Sequence, residues 1–498
     1  MSARTAGPSS PRVVTVKILR LGPDGEGVAR LNGEDILVPY VIPGERVEVA
    51  VRRGRDGLLS GDVIRVVEAS PDRITPRCRH FGPCGGCSWQ HIAYPAQLGL
   101  KQRLLQDLLD GALGPSAPRV LSTAATPPGD AGDRGLPEPW GYRDKVSFVF
   151  APAGRDPLVM GHYRRGTRTA FAAEECPVHA DAGNRIAFRL RDALLRARIP
   201  AATADGQQGI ARHAVVRVSE ATGDALATLV VTETVKPLRR VTSDMERQDA
   251  SRPGAQSDPG GAQGSRDSAA GSPARLGFHL NVHDRADGFL FGRETKRLFG
   301  ASEIRERVAN VTFLLSPTSF FQTNVRVAAL MVDHVLRLLP AEGYRRVLDL
   351  YSGVGLFALP LASRGQHVTA VEENRDAMAA AEAAARFNRL PEGVFRATAS
   401  RVEAAMARLT PRPGAPAWDA VILDPPREGC PPAVLDWILH TLHPRLVVYV
   451  SCNPHALAAD LRSAPPAYAI REVRPYDMFP HTAHIEAIAV LGLQGGTA

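Results

Sequence analysis

The stretch RRVLDLYSGVGLFALPLASRGQHVTAVEEN, residues 345–374, decides the fold class. Residues 345–350 read as a short strand, and residues 351–355 form a tight glycine turn. Residues 356–362 then open a helix, and residues 367–371 make a second strand that ends in Glu372. Strand, glycine turn, helix, strand and terminal acid constitute half of a nucleotide-cofactor site. The glycines let the backbone approach the ligand, and the acid accepts hydrogen bonds from ribose hydroxyls. Asp349 directly ahead of the turn and Glu372 beyond it strengthen this reading. The turn lacks the third glycine of a dinucleotide fingerprint, so a dehydrogenase is the lesser reading.

Working outward, the chain alternates strand and helix from residue 303 to its end, as a doubly wound α/β domain does. Ser319-Phe320-Phe321-Gln322-Thr323-Asn324 leads into the apolar helix VAALMVDHVLRLL, and residues 376–390 form an alanine-rich helix. A strand over 419–423 ends in Asp424-Pro425-Pro426-Arg427. RLVVYVSCNP, residues 445–454, is a buried strand that breaks at Ser451-Cys452-Asn453-Pro454. A strand of this kind delivers its last residues to the carboxyl edge of the sheet, where such folds place ligands. A lone free cysteine is most often a small buried apolar residue, so Cys452 gains weight only from its company. Glu486 heads the last apolar strand, where a carboxylate needs a partner or a proton.

With 498 residues the chain has room for about three domains. Sixty Lys and Arg against 52 Asp and Glu leave a net charge of +8, which favours an anionic partner. Six cysteines and a polar start without an apolar core point to a reducing cytoplasm, and no run approaches a membrane span. Residues 13–67 alternate apolar and polar positions between glycine turns, the pattern of a small β-barrel, with Arg52, Arg53 and Arg55 as a basic loop. Cys78-x5-Cys84-Gly-Gly-Cys87 has the spacing of a metal site, and Cys176 is the candidate fourth thiolate. Four thiolates suit zinc or an iron–sulfur cluster alike. Residues 98–113 have helical periodicity and residues 122–139 read as a loop. The basic and aromatic stretch 161–168 suits phosphates and unstacked bases. Residues 242–274 read as a disordered insert whose excision should be tolerated.

Several of these pieces carry a resemblance. Residues 13–67 resemble the TRAM domain of RNA-modifying enzymes, and D-L-Y-S-G-V-G resembles the S-adenosylmethionine loop of Rossmann-like methyltransferases. C-x5-C-G-G-C-x-x-Q-H with a distant C-P-V is similar to the cluster-binding part of RNA uridine-5-methyltransferases of the RumA/TrmA type. FFQTN, DLYSGVG, VEEN, DPPR, SCNP and FPHTAHIE follow in that family's order over essentially the whole chain apart from the insert. The resemblance implies S-adenosylmethionine contacts at Gln322, Tyr351, Glu372 and Asp424, a nucleophile at Cys452 and a base at Glu486. It also implies a [4Fe-4S] cluster on Cys78, Cys84, Cys87 and Cys176. Ala399 and Ser400 depart from the pattern, since relatives commonly show glycine and an acidic or amide residue there, and no adenine contact is assigned.

The expected fold class is α/β. A Rossmann-like S-adenosylmethionine methyltransferase domain spans 303–498, a TRAM-like barrel spans 13–70 after a flexible 1–12, and a central α+β domain with the iron–sulfur site spans 71–302. The expected activity is methylation of uridine carbon 5 in RNA, with 23S rRNA as substrate because the barrel and cluster together resemble the rRNA branch more than the tRNA branch. No membrane and no obligate protein partner are expected. The chemistry demands both side chains: a thiolate adds to carbon 6 so that carbon 5 becomes nucleophilic, and a base must then remove the carbon 5 proton. Alternatives are 5-methyluridine formation in tRNA, a cytosine methyltransferase, a redox enzyme, and a non-catalytic iron–sulfur RNA-binding factor.

Overall fold

Glycine-punctuated alternation closes the first strands on themselves. In the computed structural model, which describes residues 12–54, 57–128, 139–250, 275–285 and 287–495, six strands between Arg12 and Glu68 form one sheet. The strands Arg12–Lys17 and Arg20–Leu21 lie at opposite ends of the sheet yet follow one another in the chain. Leu19 N–H donates to Val28 O at 2.8 Å, so the sheet curls into a barrel around Ile18, Ile36, Val47 and Val49. Of the expected basic loop, Arg52 pairs with Asp62 and Arg53 with Glu34 in exposed ion pairs at the end of the strand Arg46–Arg53; Arg55 lies outside the described residues.

A second sheet of seven strands runs in the order Glu294–Gly300, Leu276–Val282, Ala225–Val231, Ala211–Val218, Lys145–Ala153, Asp156–Tyr163 and Ala170–Ala172. The helices Asp181–Arg196 and Leu238–Ala250 cover one face. The second helix corrects the expected insert, which was to begin at residue 242. Leu238, Val241 and Met245 recur at helical spacing and are buried against the sheet, each burial stabilising by about 1.5–3 kcal/mol. The polar residues between them hid that stripe. Residues 251–274 and 1–11 lie outside the described residues, as do 129–138 of the expected loop. The rest of that loop is a strap along a sheet edge, with Val120 bridging Val473 and Ala124 bridging Tyr476.

The hairpin Ile304–Val308 and Val311–Leu315 leads to the third large sheet. Its strands are β1 (Arg346–Leu350), β2 (His367–Glu372), β3 (Phe395–Ala399), β4 (Ala420–Leu423), β5 (Leu446–Ser451), β6 (Tyr468–Tyr476) and β7 (Glu486–Leu493). The order is β3-β2-β1-β4-β5-β7-β6, parallel through β5, with β7 antiparallel to both β5 and β6. Chain direction reverses its march between β1 and β4, so the crevice at their carboxyl ends is the topological switch point. Buried helices cover both faces, which is why β4 and β5 are apolar throughout. One cover is the helix Tyr94–Leu113, whose Leu100, Leu104, Leu105 and Leu109 pack with the core under β4 and β5. A helix from the cysteine-bearing part of the chain thus belongs by packing to the C-terminal sheet.

Candidate active site

Register brings Cys452 and Glu486 together. Ser451 of β5 pairs with Ala487 of antiparallel β7, so the residue after the one strand stands beside the residue before that pair on the other. Leu423 of β4 pairs with Tyr449 of β5, which brings Asp424 to the same edge. Cys452 is held in a tight turn: Ser451 Oγ donates to Asn453 O at 3.0 Å, and Asn453 accepts from His455 N–H at 3.1 Å, capping the helix Pro454–Arg462. Asn453 Nδ2 also donates to Arg427 O at 2.8 Å, tying the DPPR loop to the cysteine turn.

Burial dominates the electrostatics here. Glu486, 5% exposed, has its carboxyl pushed up to about 8 by burial and by Asp424, against the pull of Arg427 and Lys101. The Cys452 thiol is pushed up to about 11 by burial and by the carboxyls of Glu486 and Asp424, with Arg427 opposing. Burial, with Asp349 and Glu372 as like charges, raises Asp424 to about 7. Burial thus biases the thiol of Cys452 and the carboxyls of Glu486 and Asp424 toward their protonated forms.

The glycine turn lies next to this edge. Tyr351 adopts a left-handed backbone (φ 60°), followed by Gly353 (φ 56°) and Gly355 (φ 83°), and a Cβ on Gly355 would meet Leu359 at 3.0 Å. A tyrosine held in that region stores strain of the kind that marks ligand sites. Glu372 accepts from Gly353 N–H at 3.1 Å and from Asn374 N–H at 2.9 Å, so it shapes the turn. Asp349 accepts from Ser352 Oγ at 2.8 Å while its other oxygen, like the buried Tyr351 hydroxyl, has no partner. Acids and unpartnered polar atoms around an open glycine turn fit a ligand that carries cations and hydroxyls. Gln322 stands half-buried on the segment entering the helix Val325–Leu338, and Asn324 of that segment donates to Met478 O at 3.2 Å, near the Glu486 approach.

Cys78, Cys84, Cys87 and Cys176 line one cavity of about 240 Å³. All four are free; burial raises each thiol, helped by neighbouring cysteines at Cys84, Cys87 and Cys176 and by Glu175 at Cys78, and takes Cys87 to about 11. Thiols in such a setting become ligands only when a metal takes the place of their protons, which suits a thiolate-bound centre. His162 and His179 add two buried imidazoles whose nitrogens come within 4.8 Å of one another and of the Cys176 sulfur. The basic stretch 161–168 closes this cavity: Arg165 N–H donates to Pro83 O at 3.0 Å, and Gly85 N–H donates to Tyr163 O at 3.1 Å.

Comparison with known proteins joins these sites. The family model described as tRNA (Uracil-5-)-methyltransferase matches residues 275–493, and the TRAM domain model matches residues 12–64. An uncharacterized RNA methyltransferase of Halalkalibacterium halodurans is 31% identical over 99% of this chain and 100% of that protein. The chain belongs to the RNA uracil-5-methyltransferase family. It is accordingly an RNA methyltransferase with an N-terminal TRAM domain. An uncharacterized RNA methyltransferase of Thermosynechococcus vestitus is 33% identical over 96% of this chain and 97% of that protein. Among solved structures, the tRNA (uracil-54, C5)-methyltransferase of Pyrococcus abyssi, in complex with S-adenosyl-L-homocysteine, superposes with a TM-score of 0.69. It is 26% identical and covers 96% of this chain and 99% of that one.

Motif reading of this uracil-5-methyltransferase did not reach Lys101, Gln97 or Asp477, which are buried beside the segment that leads to Glu486. Lys101 and Gln97 lie nearly four hundred residues from that segment in sequence, and the packing of the Tyr94–Leu113 helix brings them to it.

Proposed function

We propose that this protein methylates carbon 5 of a uridine in RNA, with S-adenosylmethionine as methyl donor, Cys452 as nucleophile and Glu486 as base. The observation that carries the reading is the β5–β7 register, which sets a thiol beside a buried carboxyl at the switch-point edge. Bound S-adenosylmethionine supplies an electrophilic methyl group on a cationic sulfonium. Glu372, Tyr351, Asp424 and Gln322 would hold it, the first through ribose hydroxyls and Asp424 through its proximity to positive charge. A cation there lowers the proton affinity of Asp424 and Glu486 and so readies the base. The helix beginning at Pro454 favours negative charge on Cys452.

The Cys452 thiolate adds to carbon 6 of uracil, and the displaced electron pair moves through carbon 5 onto the carbon 4 oxygen. Carbon 5 then takes the methyl group. Glu486 removes the remaining carbon 5 proton, the double bond re-forms, and the thiolate leaves carbon 6. The target base must leave its stack for both atoms to be reached. Arg427 and Asn453 flank the cysteine and bound the pocket. Cys78, Cys84, Cys87 and Cys176 would hold a [4Fe-4S] cluster, whose part is to fix the wall of the site.

The barrel and the cysteine set favour 23S rRNA as substrate. A tRNA is the second reading, favoured by the likeness to the Pyrococcus abyssi enzyme, which extends over 96% of this chain, so the architecture alone does not separate the two. Mass mapping of 5-methyluridine in rRNA and tRNA from cells lacking the protein tests both. One uridine in 23S rRNA should lose its methyl group. Loss confined to tRNA would replace the substrate, and an unchanged map in both would overturn the function.

A further inference from the structure

Lys101 is wholly buried, 0% exposed, in a helix that the mechanism above does not use. Its ammonium has three donors and finds three acceptors: Asp477 Oδ1, Phe479 O at 3.1 Å and His484 O at 2.7 Å. All three lie on the segment 477–485 that joins β6 to β7, and the last is two residues from Glu486. One turn earlier on the same helix, Gln97 Oε1 accepts from His481 N–H at 2.8 Å, and Gln97 Nε2 donates to Ile92 O at 2.8 Å. His481 takes a left-handed backbone (φ 64°), and its ring stacks on Trp140 at 4.0 Å. Its carbonyl accepts from Ser88 and Trp89 N–H at 3.0 and 2.9 Å, one and two residues after Cys87.

A buried lysine–carboxylate pair is a weak source of stability, because desolvating both ions costs about as much as their attraction returns. What this pair does supply is position. It fixes both ends of a strained segment whose next residue is the carboxyl at the sheet edge. We infer that Lys101, assisted by Gln97, is a positioning residue that aims Glu486 at the carbon 5 proton. The inference rests on the proposed role of Glu486. Lys101 also opposes the protonation of Glu486, so its removal moves that carboxyl further up.

The test uses the full-length protein, S-adenosylmethionine, and whichever of a 23S rRNA transcript and a tRNA pool the parent methylates. Lys101→Met/Asp477→Leu exchanges the ion pair for apolar groups of similar volume, the replacement that best preserves a fold. Gln97→Met removes only the acceptor for His481. Both should keep single-turnover methyl transfer and KM near parental values. Release should slow by on the order of tenfold to a hundredfold, with a protein–RNA adduct that survives denaturing electrophoresis. A Lys101→Met single variant, which removes the cation alone, should shift the rise of release with pH to higher pH, which a merely structural role would not produce. Parental release and pH profile in folded variants would overturn the inference, as would failure of both variants to fold or equal loss of methyl transfer and release. Glu486→Gln is the control. If it accumulates no adduct, the catalytic assignment itself has failed, whatever the Lys101 variants do.

Discussion

Burial sets the chemistry of Glu486 before any ligand arrives, and the consequence is measurable as stability. Its ordinary value of 4.5 is raised to about 8 in the folded protein. Between those values the unfolded chain has lost the proton and the folded chain has kept it, so folding stability falls as pH rises from about 4.5 to 8. Glu486→Gln has no proton to lose. The variant should gain on the parent across that window, by a few kcal/mol at most, since each tenfold change in proton affinity is worth about 1.4 kcal/mol. Calorimetric melting of both proteins at pH 5 and pH 8 checks this, and a constant difference would show that the carboxyl is not buried as described. Glu372 makes a second residue-scale prediction. Because its two oxygens hold the Gly353 and Asn374 amides, Glu372→Ala loosens the glycine turn as well as removing the proposed ribose acceptor. S-adenosylmethionine affinity should fall about tenfold or more by calorimetry, with RNA affinity unchanged. Equal loss of both would make Glu372 a structural residue.

Elements differed in how openly their sequences announced them. The strand ending at Ser451 and the helix Tyr94–Leu113 were legible, because one is a β-branched run stopped by proline and the other repeats leucine at helical spacing. The helix Leu238–Ala250 was not, since three apolar residues in thirteen look like composition-driven disorder until a sheet face is there to receive them. The side chains that hold the segment before Glu486 were equally hidden. Nothing in the spacing of Lys101 or Gln97 points to a segment nearly four hundred residues away. The cysteine hairpin lies between these cases. Its three cysteines stood out by their spacing as candidate ligands, but the contact of Ser88 and Trp89 with His481 did not. That contact predicts that the proposed metal centre supports the segment leading to Glu486. Anaerobically purified protein should be brown, with iron and sulfide near four each per chain, roughly as that cluster type requires. Chelation or Cys176→Ser should lower the melting temperature and slow turnover together. Stoichiometric zinc without sulfide would contradict the cluster, and turnover unaffected by metal loss would contradict the support.

At the scale of the whole molecule, three sheets meet around one edge. Gly25 of the barrel lies so near Ala483 that a Cβ there would stand 2.2 Å from the alanine methyl, and Trp89 Nε1 donates to Gly25 O at 3.0 Å. Arg165, in the turn that follows the strand Asp156–Tyr163 of the central sheet, pairs with Glu26 of the barrel at 3.0 Å. Barrel, cysteine hairpin and the segment leading to Glu486 are therefore in mutual contact, so residues before the family match over 275–493 pack against that segment. The net charge of +8 adds a prediction for the molecule as a body: RNA affinity should fall steadily as salt rises while S-adenosylmethionine affinity changes little. A salt-independent RNA affinity would place recognition elsewhere than in phosphate contacts. The central claim, a covalent cycle that Cys452 opens and Glu486 closes, is tested most directly by denaturing electrophoresis of protein incubated with RNA and labelled S-adenosylmethionine. Glu486→Gln should accumulate a methylated protein–RNA species, and adding Cys452→Ala should abolish it. Parental turnover by a folded Glu486→Gln, or an adduct that survives loss of Cys452, would contradict that cycle.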